Sequence, residues 1–158
     1  MLVCGNTKEN AVNVVILCDS KFGNTMQLAQ SMAAALRETH SVALRTAHEG
    51  IGPNTGFDVL LVGGPTHAHG TSVPLKETVA AIPAAALKGA RVAAFDTRIQ
   101  IARFLSGSAA ASAAKLLKKA GAAIVAPPES FFVTRDDPPV LLPGEMDRAK
   151  SWAQAVVG

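Results

Sequence analysis

The stretch Val12 to Met26, VNVVILCDSKFGNTM, joins an apolar run to a short polar turn and then to a different periodicity. Val14, Val15, Ile16 and Leu17 are apolar on consecutive positions, the pattern of a strand buried on both faces, so Val12 to Cys18 reads as a central parallel strand. Beyond the turn, Met26, Leu28, Ala29, Met32, Ala33 and Leu36 recur at spacings of three and four, the stripe of an amphipathic helix. Between them lies Ser20-Lys21-Phe22-Gly23-Asn24-Thr25. Gly23 permits a backbone conformation that other residues resist, which lets the amides of this turn point inward at one anion. The free N–H groups and dipole of the helix start favour the same charge. With hydroxyls at Ser20 and Thr25 and an ammonium at Lys21, the composition suits a phosphate monoester; Ser, Asn and Thr would also serve as an ordinary helix cap.

Working outward, the 158 residues suit one domain: a loose tail over residues 1–10, then a single folded unit over 11–158. A 49% apolar, 17% charged composition rich in alanine predicts close helix packing in a globular protein. The net charge of +3 comes from scattered basic residues, and with no Tyr and one Trp the chain lacks a basic stripe and stacking platforms for nucleic acid. Lys115, Lys118 and Lys119 fit the solvated face of a helix. Cys4 and Cys18 have no metal or disulfide spacing, which suits a reducing cytoplasm. No apolar stretch reaches the roughly 18 residues of a membrane span.

Further strands are expected at Ser41 to Arg45, Val59 to Val62, Ala90 to Phe95 and Ala122 to Ala126, the last bent by Pro127-Pro128 and continued over Phe131 to Val133. Helices are expected over 74–87, interrupted near Pro83, over Ser108 to Ala120, and over Glu145 to Val157 with Met146, Ala149, Trp152, Ala153 and Val156 facing inward. Repeated β-α-β units give an α/β fold: a three-layer, doubly wound, five-stranded parallel sheet in the order 2-1-3-4-5. That order opens a crevice beyond strands 1 and 3. The turn at Ser20 to Thr25 and a second Gly-rich segment, Gly63 to Gly70, both reach it.

The chain has no Gly-x-Gly-x-x-Gly, no P-loop, and no Asp ending strand 3 as a phosphoacceptor receiver would need. Asp19 to Thr25 resembles the phosphate loop of the flavodoxin-like family, and Gly64-Pro65-Thr66-His67-Ala68-His69-Gly70 resembles the loop that holds one side of its flavin ring. The resemblance spans Val12 to the C-terminus and implies FMN as cofactor. It implies phosphate contacts from Ser20, Lys21, Phe22, Gly23, Asn24 and Thr25. Pro65, Thr66, His67, Ala68, His69 and Gly70 would lie along the ring, with Asp96, Thr97 and Arg98 opposite.

Two departures stand out. Many family members clamp the ring between Trp and Tyr, whereas here Tyr is absent and Trp152 falls in the last helix. Arg98 would put a cation where electron carriers of the family tend to be acidic, and so would ease formation of the anionic reduced flavin. His67 and His69 have no further ligand nearby to complete a metal shell. Glu129 and Ser130, after the Pro pair, could reach the same crevice. The resemblance implies an electron carrier working with a partner protein or a small acceptor. The alternatives are an FMN-dependent NAD(P)H:quinone-type reductase and an interaction module on the same fold that has lost flavin chemistry.

Overall fold

The computed structural model describes residues 10–52, 55–66 and 70–158. Strand β1 (Asn13–Cys18) is buried from Val14 onward and lies between two parallel neighbours, β2 (Ser41–Thr46) and β3 (Val59–Pro65). Strand β4 (Arg91–Ile99) pairs with β3 on one side. Its other side carries two short segments, β5 (Ala123–Ile124) against Arg91 and Val92, and β6 (Glu129–Val133) against Phe95 to Ile99. All pairings are parallel, and the order is β2-β1-β3-β4 with β5 and β6 sharing the last position. This is the expected 2-1-3-4-5 order with its fifth strand cut in two. Moving from the Arg91–Ala123 pair to the Phe95–Glu129 pair advances four residues on β4 and six on its partner. Pro127 and Pro128 lie in that gap, as their missing N–H groups require.

Residues alternate between the faces of the strands, so each strand feeds two cores. On one face Val14, Ile16, Val59, Leu61, Ala93 and Phe95 pack against helices α1 (Asn24–Leu36) and α6 (Glu145–Val157). The fully buried Ala29, Ala33, Ala149 and Ala153 belong to this layer, where small side chains permit close helix approach. Trp152 makes edge-on contacts with Phe95 and Phe131 at centroid distances of 5.7 and 6.0 Å. Met146, expected on the inward stripe, is instead 42% exposed in the first turn of α6.

The opposite face takes Val15, Leu17, Leu60, Val62, Val92 and Ala94 under α2 (Val73–Ala80), α3 (Ala84–Leu87) and α5 (Ala109–Lys119). Pro83 separates α2 from α3, with φ −60 and ψ 136 at the break. A further short helix, α4 (Arg103–Ser106), precedes α5. No helix among the described residues is long and apolar enough to cross a membrane.

Two strands outrun the sequence reading. β3 continues through Gly63 and Gly64 to Pro65, so these glycines belong to the sheet. A Cβ on Gly63 would run into the Phe95 ring, so close approach to the core is what requires glycine there. β4 continues to Ile99 because β6 supplies a partner for each residue from Phe95 onward. Asp96, Thr97 and Arg98 are therefore strand residues whose direction is set by the pleat.

Candidate functional site

The chain leaves β1 toward β2 on one side and leaves β3 toward β4 on the other, so the winding reverses between β1 and β3 and a crevice opens beyond their carboxyl ends. A cavity of about 540 Å³ opens there, within the range of small-molecule sites. Its walls come from the turn after β1 (Lys21, Phe22, Asn24, Thr25), the end of β3 (Pro65, Thr66), the end of β4 (Thr97, Arg98, Ile99) and Ser106. The segment from Val133 to Pro139 completes them.

The turn after β1 is built as the sequence implied, with its side chains distributed differently. Gly23 takes φ 85, the left-handed region where glycine carries no steric penalty. Ser20 Oγ accepts from the amides of Gly23 at 3.1 Å and Met26 at 3.3 Å, so its oxygen shapes the turn while its O–H stays free to donate. Asn24 does not turn its amide to the cavity as a phosphate donor: Nδ2 donates to the carbonyl of Pro139 at 2.8 Å. Thr25, almost fully buried, shares a 2.9 Å hydrogen bond with Thr97 on the cavity floor. The first-turn N–H groups of Asn24 and Thr25, which have no carbonyl one turn earlier, remain as donors beside the dipole of α1. Lys21 is exposed, with its ammonium 5.2 Å from the centre of the Phe22 ring.

Across the cavity the expectation for Asp96 is corrected. Asp96 is fully buried and does not line the space. Its Oδ2 accepts from Ser108 Oγ at 2.5 Å and from the Ala110 amide at 2.9 Å, so the carboxylate caps the start of α5. Pleat direction explains this, since Asp96 points to the α5 face and its neighbour Thr97 to the other. Thr66 does line the cavity while its Oγ1 accepts from the Ala109 amide. Gly70 lies against α5, where a Cβ would meet Ser112 Oγ at 3.4 Å, and does not line the cavity. His67, Ala68 and His69 fall outside the described residues.

Arg98 does line the space, and it is held rather than solvated. Nε donates to Ser130 Oγ at 2.8 Å, and one terminal nitrogen donates to the Ile101 carbonyl at 2.7 Å and Ser106 Oγ at 3.2 Å. Its guanidinium lies 5.1 Å from the centre of the Phe132 ring. Ser130 thus reaches the site indirectly, by fixing Arg98. Glu129 turns away to Arg148 at 2.9 Å. Cys18 is no nucleophile: burial, with the Asp19 charge adding to it, pushes its thiol up to about 12.

Sequence reasoning missed the segment after β6. Thr134 donates its amide to the Val140 carbonyl, Leu142 donates to Phe132, and Val133 bridges Leu141 antiparallel, so residues 134–142 fold back over the cavity. Arg135 and Asp136 enter the lining this way. The available signal was Asp136-Asp137-Pro138-Pro139, a turn sequence directly after the continued fifth strand.

No protein-family model matches the chain, and no curated protein sequence does. Solved structures do match. Oxidised flavodoxin 1 from Bacillus cereus superposes with a TM-score of 0.67 at 18% identity, over 92% of this chain and 97% of that one. The fold is flavodoxin-like. A Fusobacterium nucleatum flavodoxin bound to flavin mononucleotide matches with a TM-score of 0.63 at 13% identity, covering 92% of this chain and 96% of its own. Rubredoxin oxygen:oxidoreductase from Desulfovibrio gigas matches with a TM-score of 0.71 at 20% identity, and here the chain spans about a third of the longer protein, 35%. The cavity opens at the switch point of this flavodoxin-like sheet.

Proposed function

We propose that the protein binds FMN in this cavity and exchanges electrons with a partner through it. The observation that carries this reading is one space with two chemistries. The start of α1 offers N–H donors and Lys21 for a phosphate, and the same cavity runs on between Phe22, Pro65, Ile99 and Val133, apolar surfaces suited to a planar ring. The Fusobacterium flavodoxin, bound to flavin mononucleotide, shares the fold and supports the choice of ligand.

FMN would supply the electron-carrying ring; the chain supplies position and field. The donors at Asn24 and Thr25 would hold the phosphate end, and the Thr25–Thr97 pair would form the floor beneath it. Arg98, fixed by Ser130, Ile101 and Ser106, would place a positive charge at the opposite wall. No aromatic pair flanks the space among the described residues, so affinity rests more on the phosphate than a stacked clamp would require.

Fluorescence titration tests the reading. FMN should be quenched on binding, riboflavin, which lacks the phosphate, should bind roughly tenfold more weakly, and Lys21→Glu should narrow that gap. No quenching of FMN at high micromolar protein overturns the assignment. Equal affinity for FMN and riboflavin overturns the role of the turn.

A further inference from the structure

The roof of the cavity is held less firmly than its floor and sides. Those walls stand on β1, β3 and β4, which pair with one another along the sheet. The roof is a hairpin leaving the end of β6, and its two halves are built differently. Its base is anchored: Val133 bridges Leu141, the Leu142 amide donates to the Phe132 carbonyl, and Leu141 packs against the core beside α6. Its tip closes only on itself. The Thr134 amide donates to the Val140 carbonyl, and Thr134 Oγ1 accepts from the Val140 amide at 3.0 Å and the Asp136 amide at 3.4 Å. Residues 135–138 are exposed, and Val140 is 55% exposed.

Among the described residues, one hydrogen bond ties this tip to the rest of the molecule. Asn24 Nδ2 donates to the Pro139 carbonyl at 2.8 Å. No ion pair reinforces it, since Arg135, Asp136 and Asp137 take part in none among the described residues. The two sides of the bond are unequal. Asn24 is buried at the head of the 13-residue helix α1, whereas the tip has few buried contacts of its own. A segment of that kind opens far more readily than the core strands around it.

The place of the tip makes its opening consequential. Arg135, Asp136 and Pro139 line the cavity from the hairpin, and Lys21, Phe22 and Asn24 line it from the turn after β1. The bond between Asn24 and Pro139 joins these two rims. A ligand entering between them has to pass it.

We propose that residues 134–140 form a lid over the cavity, latched by Asn24 on the Pro139 carbonyl and hinged at the Val133–Leu141 bridge, and that its opening gates entry and release of the ligand. The identity of that ligand as FMN rests on the reading above; the latch and the hinge do not. The competing account is a static wall, in which the same bond only shapes the site. The two accounts part on kinetics. Removing a latch speeds association and dissociation together, because both pass through the open lid, whereas removing a shaping contact speeds dissociation alone.

The ligand-free full chain is followed first, by backbone relaxation dispersion, which reads exchange on the microsecond-to-millisecond scale of lid motion. Exchange should cover the amides of 135–137 and 140 and spare Leu142. Asn24→Ala should raise the open population roughly threefold to tenfold, the weight of one neutral hydrogen bond. Asn24→Asp, which keeps the shape of the side chain but has no N–H to donate, should do the same. Thr134→Ala should loosen the tip by a second route that leaves Asn24 and the start of α1 untouched. Stopped-flow mixing of FMN with wild type and Asn24→Ala should then show both rate constants increased severalfold, with the affinity changed much less than either. The proposal is overturned if both Asn24 variants leave exchange at 135–140 as it is in wild type, or if exchange runs equally through Leu142 and β6. Unchanged or slower FMN association in Asn24→Ala also overturns it. Where FMN does not bind, the flavin reading falls, and the measurements on the ligand-free chain decide the lid by themselves.

Discussion

The turn after β1 and the wall formed by β4 and β6 face each other across one cavity, yet the chain builds them by opposite means. The turn is local: Gly23 sets the backbone, Ser20 closes it onto Gly23 and Met26, and the start of α1 supplies the donors. The wall is assembled at a distance. Arg98 is positioned by Ser130, thirty-two residues further along the chain, and the roof returns from beyond Pro138 to meet Asn24. A locally encoded element should tolerate change elsewhere in the molecule, while a distributed one should fail when any of its remote supports is removed.

The largest expected effect is on what both sides share. Gly63→Val should drive a side chain into the Phe95 ring and cost about 3 kcal/mol, read by urea denaturation. Disturbing β3 and β4 together, it should abolish the cavity as well. Gly23→Val comes next: it strains only the turn, so stability should fall by about 1–2 kcal/mol and FMN affinity by roughly tenfold, with the Arg98 wall unaffected. Arg98→Ala should leave the turn and its preference for FMN over riboflavin in place while making bound flavin harder to reduce. A shift of about 30 mV is expected, equivalent to about 1.4 kcal/mol for a two-electron couple, and an unchanged potential in a redox titration would remove Arg98 from the electrostatic account.

The smallest effect concerns the far support of the wall. Arg148 binds Glu145 at 2.7 Å and the Ser130 carbonyl, and the Phe132 amide donates to Glu145. The hydrogen bond from Arg148 holds the Glu145 carboxyl below its ordinary value, against opposition from burial and with help from Phe132. A depressed carboxyl contributes stability that is complete above its unfolded value, about 4.3, and is lost as pH falls through its lower folded value. Arg148→Ala should therefore cost about 1 kcal/mol at pH 7, and the gap from wild type should narrow as pH falls below about 4.3, measured by urea denaturation at neutral and acid pH.

The contrast also explains what the amino-acid sequence revealed. Val14 to Leu17 announce a buried strand by composition, and Gly23 announces a turn by its conformational range, because both properties reside in the residues themselves. The strand order followed from the alternation of strands and helices. The role of Asp96 did not, because its direction depends on β4 running beyond Phe95, and that depends on β6 arriving after the Pro pair. Arg98 fell beyond the expected end of the fourth strand for the same reason: Ser130, Phe132 and Ser106, which hold it, are not its neighbours in sequence. Asn24 fitted a phosphate loop by type, while its partner, the Pro139 carbonyl, lies 115 positions away.

The split in the fifth strand bears on how the molecule avoids its own kind. The outer edge of a sheet offers a row of unpaired backbone groups on which a strand from another molecule can grow. Here that edge begins with only two residues, breaks at two prolines that have no N–H to give, and resumes as β6, where Leu141 and Leu142 already fold back against Val133 and Phe132. No long, flat template is left along this side. The interruption that the Pro pair announces in the sequence therefore also guards this edge of the sheet against cross-β aggregation.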